Sequence, residues 1–264
     1  MALTFCSFSS GSSGNCYLVK SDKTALLIDA GISGRRILES LKRVRVDPAD
    51  VKAVLITHEH SDHIKSLKTV SRKLTHAVTY ANIGTWENIN GLVDDKRSIV
   101  FKTGEEFFVG DIKVKAFHIL HDASEPVGYS FSRGESRISI LTDTGRLNDE
   151  IYEEIKEADL LVLEANHDVE MLRVGRYPWF LKQRILGEKG HLSNVDAAGA
   201  ICRLLSFGEK NRRVLLAHLS RENNFPEMAY QTVKNLLEEN NYYINKNVCV
   251  NIIERDEMSA LFTV

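Results

Sequence analysis

Three histidines and an aspartate fall within six residues, in the run Thr57-His58-Glu59-His60-Ser61-Asp62-His63. The whole chain has only 9 histidines, so chance is a poor explanation for this grouping. The run follows the apolar segment 51–56, which predicts a buried strand, and polar residues past a strand end can point into one concavity. Imidazole and carboxylate donors suit Zn²⁺, Mn²⁺ or Fe. We expect His58 and His60 to face one ion, and Asp62 and His63 to face a second.

Four ligands from one loop cannot complete two coordination spheres, so further donors should follow other strands. His121 comes after the predicted strand 112–117 and its extension 119–120, Asp143 after 138–141, and His218 after 214–217. A single histidine at a strand end is usually only hydrogen-bonded, but the set in this order predicts ligands. His118 competes with His121, and we favour His121 because strand alternation points His118 into or away from the sheet.

The spacing of apolar residues predicts the strands and helices that must position these residues. Alternate apolar residues indicate a strand, and apolar residues three or four apart indicate a helix. Alternating or continuous apolar segments predict strands at 3–8, 16–19, 25–28, 51–56, 77–80, 98–101, 106–109, 112–117, 127–131, 137–141, 160–163, 214–217 and 248–253. Helical spacing predicts helices from Ser33 to about 45, over 62–73, over 195–207 after a Ser193/Asp196 capping box, and over 226–239. Helices interleaved with hairpins and isolated strands fit an α/β fold in which helices lie outside two packed sheets.

Composition narrows the class of protein. The 264 residues fit one domain, 1–264, and the net charge of −2 gives no general attraction to nucleic acid. Two divalent cations would, however, add about four positive charges at the site.

No apolar run reaches the ~18 residues that span a bilayer, and no signal peptide is evident, so we expect no membrane partner. Cys6, Cys16, Cys202 and Cys249 are expected to be buried, reduced thiols, which favours the cytoplasm.

The segment Ser9–Asn15 (SSGSSGN) is the only low-complexity stretch. It could be a flexible linker, but it lies between two predicted strands near the start of the chain. We therefore expect a tight Gly/Ser hairpin that lets backbone approach the site.

The pattern H-x-H-x-D-H followed by spaced His, Asp and His resembles the metallo-β-lactamase superfamily over nearly the whole chain. That resemblance implies a four-layer αββα sandwich, with two mixed sheets packed face to face. Segments such as FSSGSSGNCYLV, LLIDAG, THEHSDHIK, LTDTG and LLAHLSREN are similar to the YycJ (WalJ) subgroup, bacterial proteins regarded as 5′-to-3′ DNA exonucleases. This resemblance implies that one metal binds His58, His60 and His121 and a second binds Asp62, His63 and His218. Asp143 would bridge the two metals.

Further roles are implied by a resemblance of HDASEPVGY and the Glu164/His191 pair to the phosphodiesterase branch that includes tRNA 3′-processing enzymes. Glu164 would steer His191, which would act as an acid on the leaving oxygen. The alternative is that His191 is a helix N-terminal residue bonded only to backbone. Asp62 joins them as a catalytic candidate, and Asp29 in LLIDAG is expected to orient a ligand histidine through its distal nitrogen.

A basic and aromatic stretch, 171–190, precedes His191 and contains candidate substrate-binding residues, namely Arg173, Arg176, Trp179 and Arg184. Positive charge and aromatic faces are what a single-stranded nucleic acid contacts. The alternative is an ordinary loop with a packed aromatic plug.

The expected function is a dinuclear phosphodiesterase, a 5′-to-3′ exonuclease with a metal-bridging hydroxide as nucleophile and with DNA, or alternatively RNA, as substrate. Two divalent ions per chain are expected, Zn or Mn before Fe. Three alternatives stay open. A hydrolase of a small phosphodiester or thioester would use the same centre. A redox di-iron protein is disfavoured by His60, because redox members of the superfamily carry Glu there. A non-catalytic binding protein would have lost ligands, and none is missing.

Overall fold

The computed structural model describes residues 2–208 and 210–264 and contains two seven-stranded sheets. In chain order the strands are β1 (Thr4–Ser9), β2 (Cys16–Lys20), β3 (Ala25–Ile28), β4 (Val51–Leu55), β5 (Val78–Asn82), β6 (Ser98–Phe101), β7 (Glu106–Val109), β8 (Ile112–His118), β9 (Val127–Arg133), β10 (Ser136–Leu141), β11 (Leu160–Glu164), β12 (Arg212–Ala217), β13 (Val248–Ile252) and β14 (Phe262–Thr263).

The α-helices are α1 (Gly34–Arg43), α2 (Ser61–Ile64), α3 (Leu67–Lys73), α4 (Ile83–Ile89), α5 (Asp149–Ile155), α6 (Val169–Val174), α7 (Trp179–Leu186), α8 (Asn194–Ser206) and α9 (Pro226–Glu239). Short 3₁₀ turns cover Pro48–Asp50 and Asp95–Arg97. The caps predicted for α1 and α8 are present: Ser33 accepts from the backbone of Arg36, and Ser193 and Asp196 form a capping box.

Both sheets are mixed. The first has the order β14-β1-β2-β3-β4-β5-β6, antiparallel from β14 to β3 and parallel from β3 to β6. The second has the order β13-β12-β11-β10-β9-β8-β7, parallel from β13 to β10 and antiparallel from there to β7. Parallel strands β10, β11 and β12 therefore end at the same edge, where the functional side chains collect.

Three buried apolar layers hold the sandwich together. One lies between the sheets and includes Phe5, Tyr17, Tyr129 and Phe131. A second packs α5, α8 and α9 against the outer face of the second sheet, and a third packs α1 and α3 against the first sheet. Helix, sheet, sheet, helix is the αββα order, so the predicted fold class is confirmed.

The helix predicted over 62–73 is broken, because α2 ends at Ile64 and α3 begins at Leu67. Ala30 explains the break. Its N–H donates to the carbonyl oxygen of His63 at 2.7 Å, and its own carbonyl accepts from the N–H of Ser66 at 2.9 Å. These bonds to the loop after β3 replace bonds within one continuous helix, so tertiary contacts override the sequence period.

Other elements were not predicted, namely α4, α5, α6, α7 and β14. Among the thiols, Cys6 and Cys16 are buried as expected, whereas Cys202 and Cys249 are only half-buried, so the expectation of burial is wrong for that pair. All four thiols are free. Among the described residues, no helix is long and apolar enough to cross a bilayer.

Candidate metal centre

Three residues of the candidate site follow strand ends and adopt an unusual backbone conformation. Asp29 directly follows β3, Asp143 follows β10 by two residues, and His218 directly follows β12. Their φ angles are 62°, 59° and 56°, in the left-handed region that costs energy for residues other than glycine. At these turns Asp143 and His218 line one cleft, and Asp29 contacts Nδ1 of His63. Such strain at a cleft points to a functional site.

His58, His60 and His121 form the first group of donors, whose ligand atoms all lie within 4.8 Å of one another. His121 Nε2 is 3.3 Å from His60 Nδ1. His58 is completely buried, and its Nε2 has no hydrogen-bond partner in the described chain. Burial, with help from the neighbouring imidazoles, lowers the pKa of His58 well below its usual value. The neutral imidazole that results is the form that binds a metal.

Asp62, His63 and His218 form the second group, again with donor atoms within 4.8 Å. Asp62 Oδ2 lies 3.5 Å from His63 Nε2 and 3.9 Å from His218 Nε2. Asp62 lies in α2, which follows β4 of the first sheet, and His218 follows β12 of the second sheet. The second group therefore combines donors from both sheets.

Asp143 lies between the two groups. With His58 of the first group and His63 of the second it forms another set of donors within 4.8 Å. Its Oδ2 is 3.4 Å from His63 Nε2 and is buried without a hydrogen-bond partner in the described chain. A buried carboxylate oxygen and a buried imidazole nitrogen that lack partners fit cation ligands, because unsatisfied buried polar atoms are otherwise costly.

Four of the candidate ligand histidines have a polar partner at Nδ1. The contacts are Asp29 Oδ2 to His63 at 2.7 Å, Thr57 Oγ1 to His58 at 3.0 Å, the Gly190 carbonyl to His121 at 3.2 Å, and Glu164 Oε1 to His218 at 2.7 Å. The sequence predicted this role for Asp29. Partners of this kind fix the tautomer and ring orientation of a metal-binding histidine.

The charge of the site favours cations. Burial alone would lower the pKa of His218, but Asp143, Asp62 and Glu164 raise it to about 10. Burial likewise opposes protonation of His63, whose pKa is nevertheless raised well above its usual value by Asp29, Asp143 and Asp62. Four carboxylates around these imidazoles create a negative potential in a buried pocket, which a divalent cation would neutralise.

His191 and Glu164 are brought together as the sequence predicted. Glu164 Oε1 lies 2.8 Å from His191 Nδ1, and the His191 side chain is 15% exposed toward the cleft. Burial lowers the pKa of His191, but Glu164 outweighs it and the net shift is upward. The same carboxylate also holds His218, a contact that the sequence did not reveal.

A cleft of about 140 Å³ opens on these groups and is lined by Ser12, His60, Asp62, His121, Asp143, Asn166, Arg184, His191 and His218. Ser12 belongs to the Ser9–Asn15 hairpin, which approaches the site as expected. Asn15 and Asn166 are site residues that the sequence analysis missed. The SSGSSGN segment was the signal for Asn15, whereas an asparagine such as Asn166 has no distinctive spacing.

The four predicted substrate-binding residues lie in different places. Arg184 lines the cleft, and its guanidinium pairs with Asp122, with Nη2 3.0 Å from Oδ1. Arg173 pairs with Glu170 at 2.8 Å, and Arg176 is exposed outside the cleft lining. Trp179 and Phe180 are 73% and 74% exposed at the start of α7, so they do not form a packed plug.

A family model described as "Beta-lactamase superfamily domain" matches residues 24–219. The chain belongs to this superfamily. Within the superfamily it is similar to "Exodeoxyribonuclease YycJ" of Bacillus anthracis, with 41% identity over 249 residues that make up 93% of each protein. It is also 43% identical to "Exodeoxyribonuclease WalJ" of Streptococcus pneumoniae over 233 residues, 86% of each protein. The predicted YycJ-like subgroup is therefore confirmed.

Solved structures of the superfamily share the fold. The metallo-β-lactamase-fold protein YhfI from Bacillus subtilis superposes with a TM-score of 0.74 at 16% identity, covering 100% of this chain and 99% of that one. Superfamily membership and the clustered ligands identify the chain as a metal-dependent hydrolase that binds divalent metal.

Proposed function

We propose that this hydrolase is a two-metal phosphodiesterase that degrades DNA as a 5′-to-3′ exonuclease. The observation that carries the proposal is the Glu164–His191 pair at the edge of a cleft that also contains two groups of metal ligands. A proton donor beside a cation site suits a poor leaving group, such as the sugar alkoxide of DNA. The names of the two bacterial relatives support DNA as the substrate.

The proposed ligand sets are His58, His60 and His121 for one ion, and Asp62, His63 and His218 for the other, with Asp143 shared. Asp143 supports this division because one of its two donor groups includes one histidine from each set. Zn²⁺ or Mn²⁺ fits the mixture of nitrogen and oxygen donors best, with Fe as the next choice. Divalent cations held there would supply a nucleophile from water at neutral pH and neutralise charge on the phosphate.

His191 would protonate the departing oxygen. Its Nδ1–H donates to Glu164, which leaves Nε2 as the nitrogen available to the cleft. The raised pKa of His191 favours the protonated ring, which is the form that a general acid requires. Glu164 sets both the orientation and the charge of this donor. Asp62, at the edge of the same cleft, would orient the second ion and the attacking water.

Arg184 would contact a phosphate of the strand, because its guanidinium lines the cleft and Asp122 fixes its direction. Trp179 and Phe180 would offer exposed aromatic faces to unpaired bases, with Arg173 and Arg176 contributing positive charge nearby along the chain. A single strand would then run along α7, from the exposed Trp179 and Phe180 to Arg184 at the cleft.

The test uses purified protein loaded with Zn²⁺ or Mn²⁺ and linear DNA labelled at its 5′ or 3′ end. The proposal predicts release of mononucleotides from the 5′ end, slower attack on RNA, no attack on circular DNA, and loss of all activity with chelator. Equal cleavage of circular and linear DNA would contradict an exonuclease. Rapid hydrolysis of a small cyclic phosphodiester or a thioester, without DNA cleavage, would favour the alternative small-molecule hydrolase.

A further inference from the structure

Asn15 reaches the second group of ligands from the end of the Ser9–Asn15 hairpin. It is fully buried. Its backbone N–H donates to the carbonyl of Asp62 at 2.7 Å, and its own carbonyl accepts from the N–H of Gly31 at 2.8 Å. The first bond ties Asn15 to the turn that carries Asp62 and His63, and the second ties it to the loop after β3.

The direction of the Asn15 amide follows from its hydrogen bonds. Oδ1 accepts from the backbone N–H of Gly11 at 2.8 Å and from the Tyr17 hydroxyl at 3.3 Å. Both partners are donors, so the oxygen must face the hairpin and the nitrogen must face the opposite side. The side chain therefore presents two N–H groups to the metal ligands.

The Asn15 nitrogen lies among the donor atoms proposed for one ion. Nδ2 is 3.0 Å from His63 Nε2, 3.3 Å from Asp62 Oδ2 and 3.4 Å from His218 Nε2. Asp62 Oδ2 accepts a hydrogen bond from this amide, and the positive N–H end of the amide lies against the two imidazole nitrogens that a cation would need. A cation that binds Asp62, His63 and His218 must compete with the Asn15 amide.

We propose that Asn15 is a positioning residue that weakens cation binding at the Asp62–His63–His218 site, so that this site fills after the His58–His60–His121 site. This role presupposes the two-metal centre proposed above. In the metal-free protein the amide donates to Asp62 and lies against His63 and His218. The second ion binds only when that hydrogen bond is given up and the amide moves aside, whereas no side-chain amide contacts the donor atoms of the first group among the described residues.

Asn15→Asp provides the direct test, because the change keeps the shape and the acceptor toward Gly11 and Tyr17 but replaces N–H₂ with a carboxylate oxygen. Calorimetric titration with Zn²⁺ and Mn²⁺ should show the second ion binding about 10-fold to 100-fold more tightly than in the wild type, with the first ion unchanged. Ser12→Asp is the matched control, since it adds the same charge at an exposed residue of the cleft that has no hydrogen bond to the three ligands among the described residues. It should change both affinities only slightly.

Unchanged or weaker binding of the second ion by Asn15→Asp would overturn the role of Asn15, as would an equal gain in Ser12→Asp. Binding of only one ion by the wild type would instead overturn the two-metal centre itself, so the two failures are distinguishable.

A measurement on the wild-type protein tests the same proposal without any variant, so it does not depend on whether Asn15→Asp folds. In ¹⁵N-labelled protein titrated with Zn²⁺, the side-chain N–H₂ signals of Asn15 should move with the second equivalent and not with the first. Signals that move fully with the first equivalent, or with neither, would contradict the proposal.

Discussion

One oxygen of Glu164 joins two histidines with different proposed roles: Oε1 lies 2.8 Å from Nδ1 of His191 and 2.7 Å from Nδ1 of His218. Its second oxygen accepts from the backbone N–H groups of Thr144 and Leu192, each at 3.1 Å. The carboxylate is fully buried, and although burial would raise its pKa, the two histidines keep that pKa below its usual value. The proposed acid and a proposed metal ligand therefore share one anchor.

Glu164→Gln should weaken both roles, because a neutral amide with one acceptor oxygen cannot replace a carboxylate that accepts four hydrogen bonds. We expect a loss of metal affinity of about 10-fold to 100-fold through His218, together with slower DNA hydrolysis. Metal titration and single-turnover kinetics at saturating metal separate the two effects. Unchanged metal affinity would show that the Glu164–His218 contact does not orient a ligand.

His191→Ala should leave metal content intact and lower hydrolysis of DNA by about 10²–10⁴-fold, the usual share of general acid catalysis. An activated aryl phosphodiester should be affected far less, since a nitrophenolate leaves without protonation. His118→Ala is the matched control, because His118 is exposed on β8 and should have no effect on either substrate. Equal losses on the two substrates would indicate a structural or ligand role for His191.

Much of this site could be predicted because metal ligands follow strand ends and strands have clear sequence periods. His58, His121, Asp143 and His218 each come shortly after an apolar segment, so their convergence followed from topology. The second contact of Glu164 could not be predicted, since it depends on the register between β11 and β12, where Glu164 lies opposite Ala217. Helix α7 was missed because it begins with Trp179 and Phe180, which are exposed rather than on a buried face.

Arg184→Gln should weaken binding of single-stranded DNA. The slope of log affinity against log salt concentration should become shallower by about one, the share of a single phosphate contact. The small aryl diester should be hydrolysed at nearly the wild-type rate, because it needs the metals alone. Arg203→Gln is the matched control, since Arg203 is another exposed arginine paired with an aspartate, Asp149, but lies on α8 outside the cleft lining. Identical salt dependence in wild type and Arg184→Gln would show that Arg184 does not contact a phosphate of the bound strand.

His167 should make stability depend on pH. It is 1% exposed, neither ring nitrogen has a hydrogen-bond partner in the described chain, and burial lowers its pKa to about 4. The unfolded chain, with a pKa near 6.5, takes up the proton first, so stability present above about pH 6.5 is lost as pH falls toward 4. That loss approaches about 3 kcal/mol.

Denaturant unfolding of metal-free wild type and His167→Gln across this range isolates the effect, because other titrating groups are common to both proteins. The difference in free energy of unfolding should shift in favour of the variant as pH falls from 7 to 4. A difference that is constant with pH would mean that His167 keeps an ordinary pKa in the folded protein.

The number of divalent ions per chain tests the central claim most directly. Elemental analysis after saturation with Zn²⁺ or Mn²⁺ and removal of excess metal should give about two ions per wild-type chain, since seven His and Asp ligands exceed what one ion can use. Asp143→Ala should lower occupancy of both sites together, because one carboxylate serves both ions. A maximum of one ion per wild-type chain, or loss of a single ion in Asp143→Ala with the other bound normally, would contradict the two-metal centre.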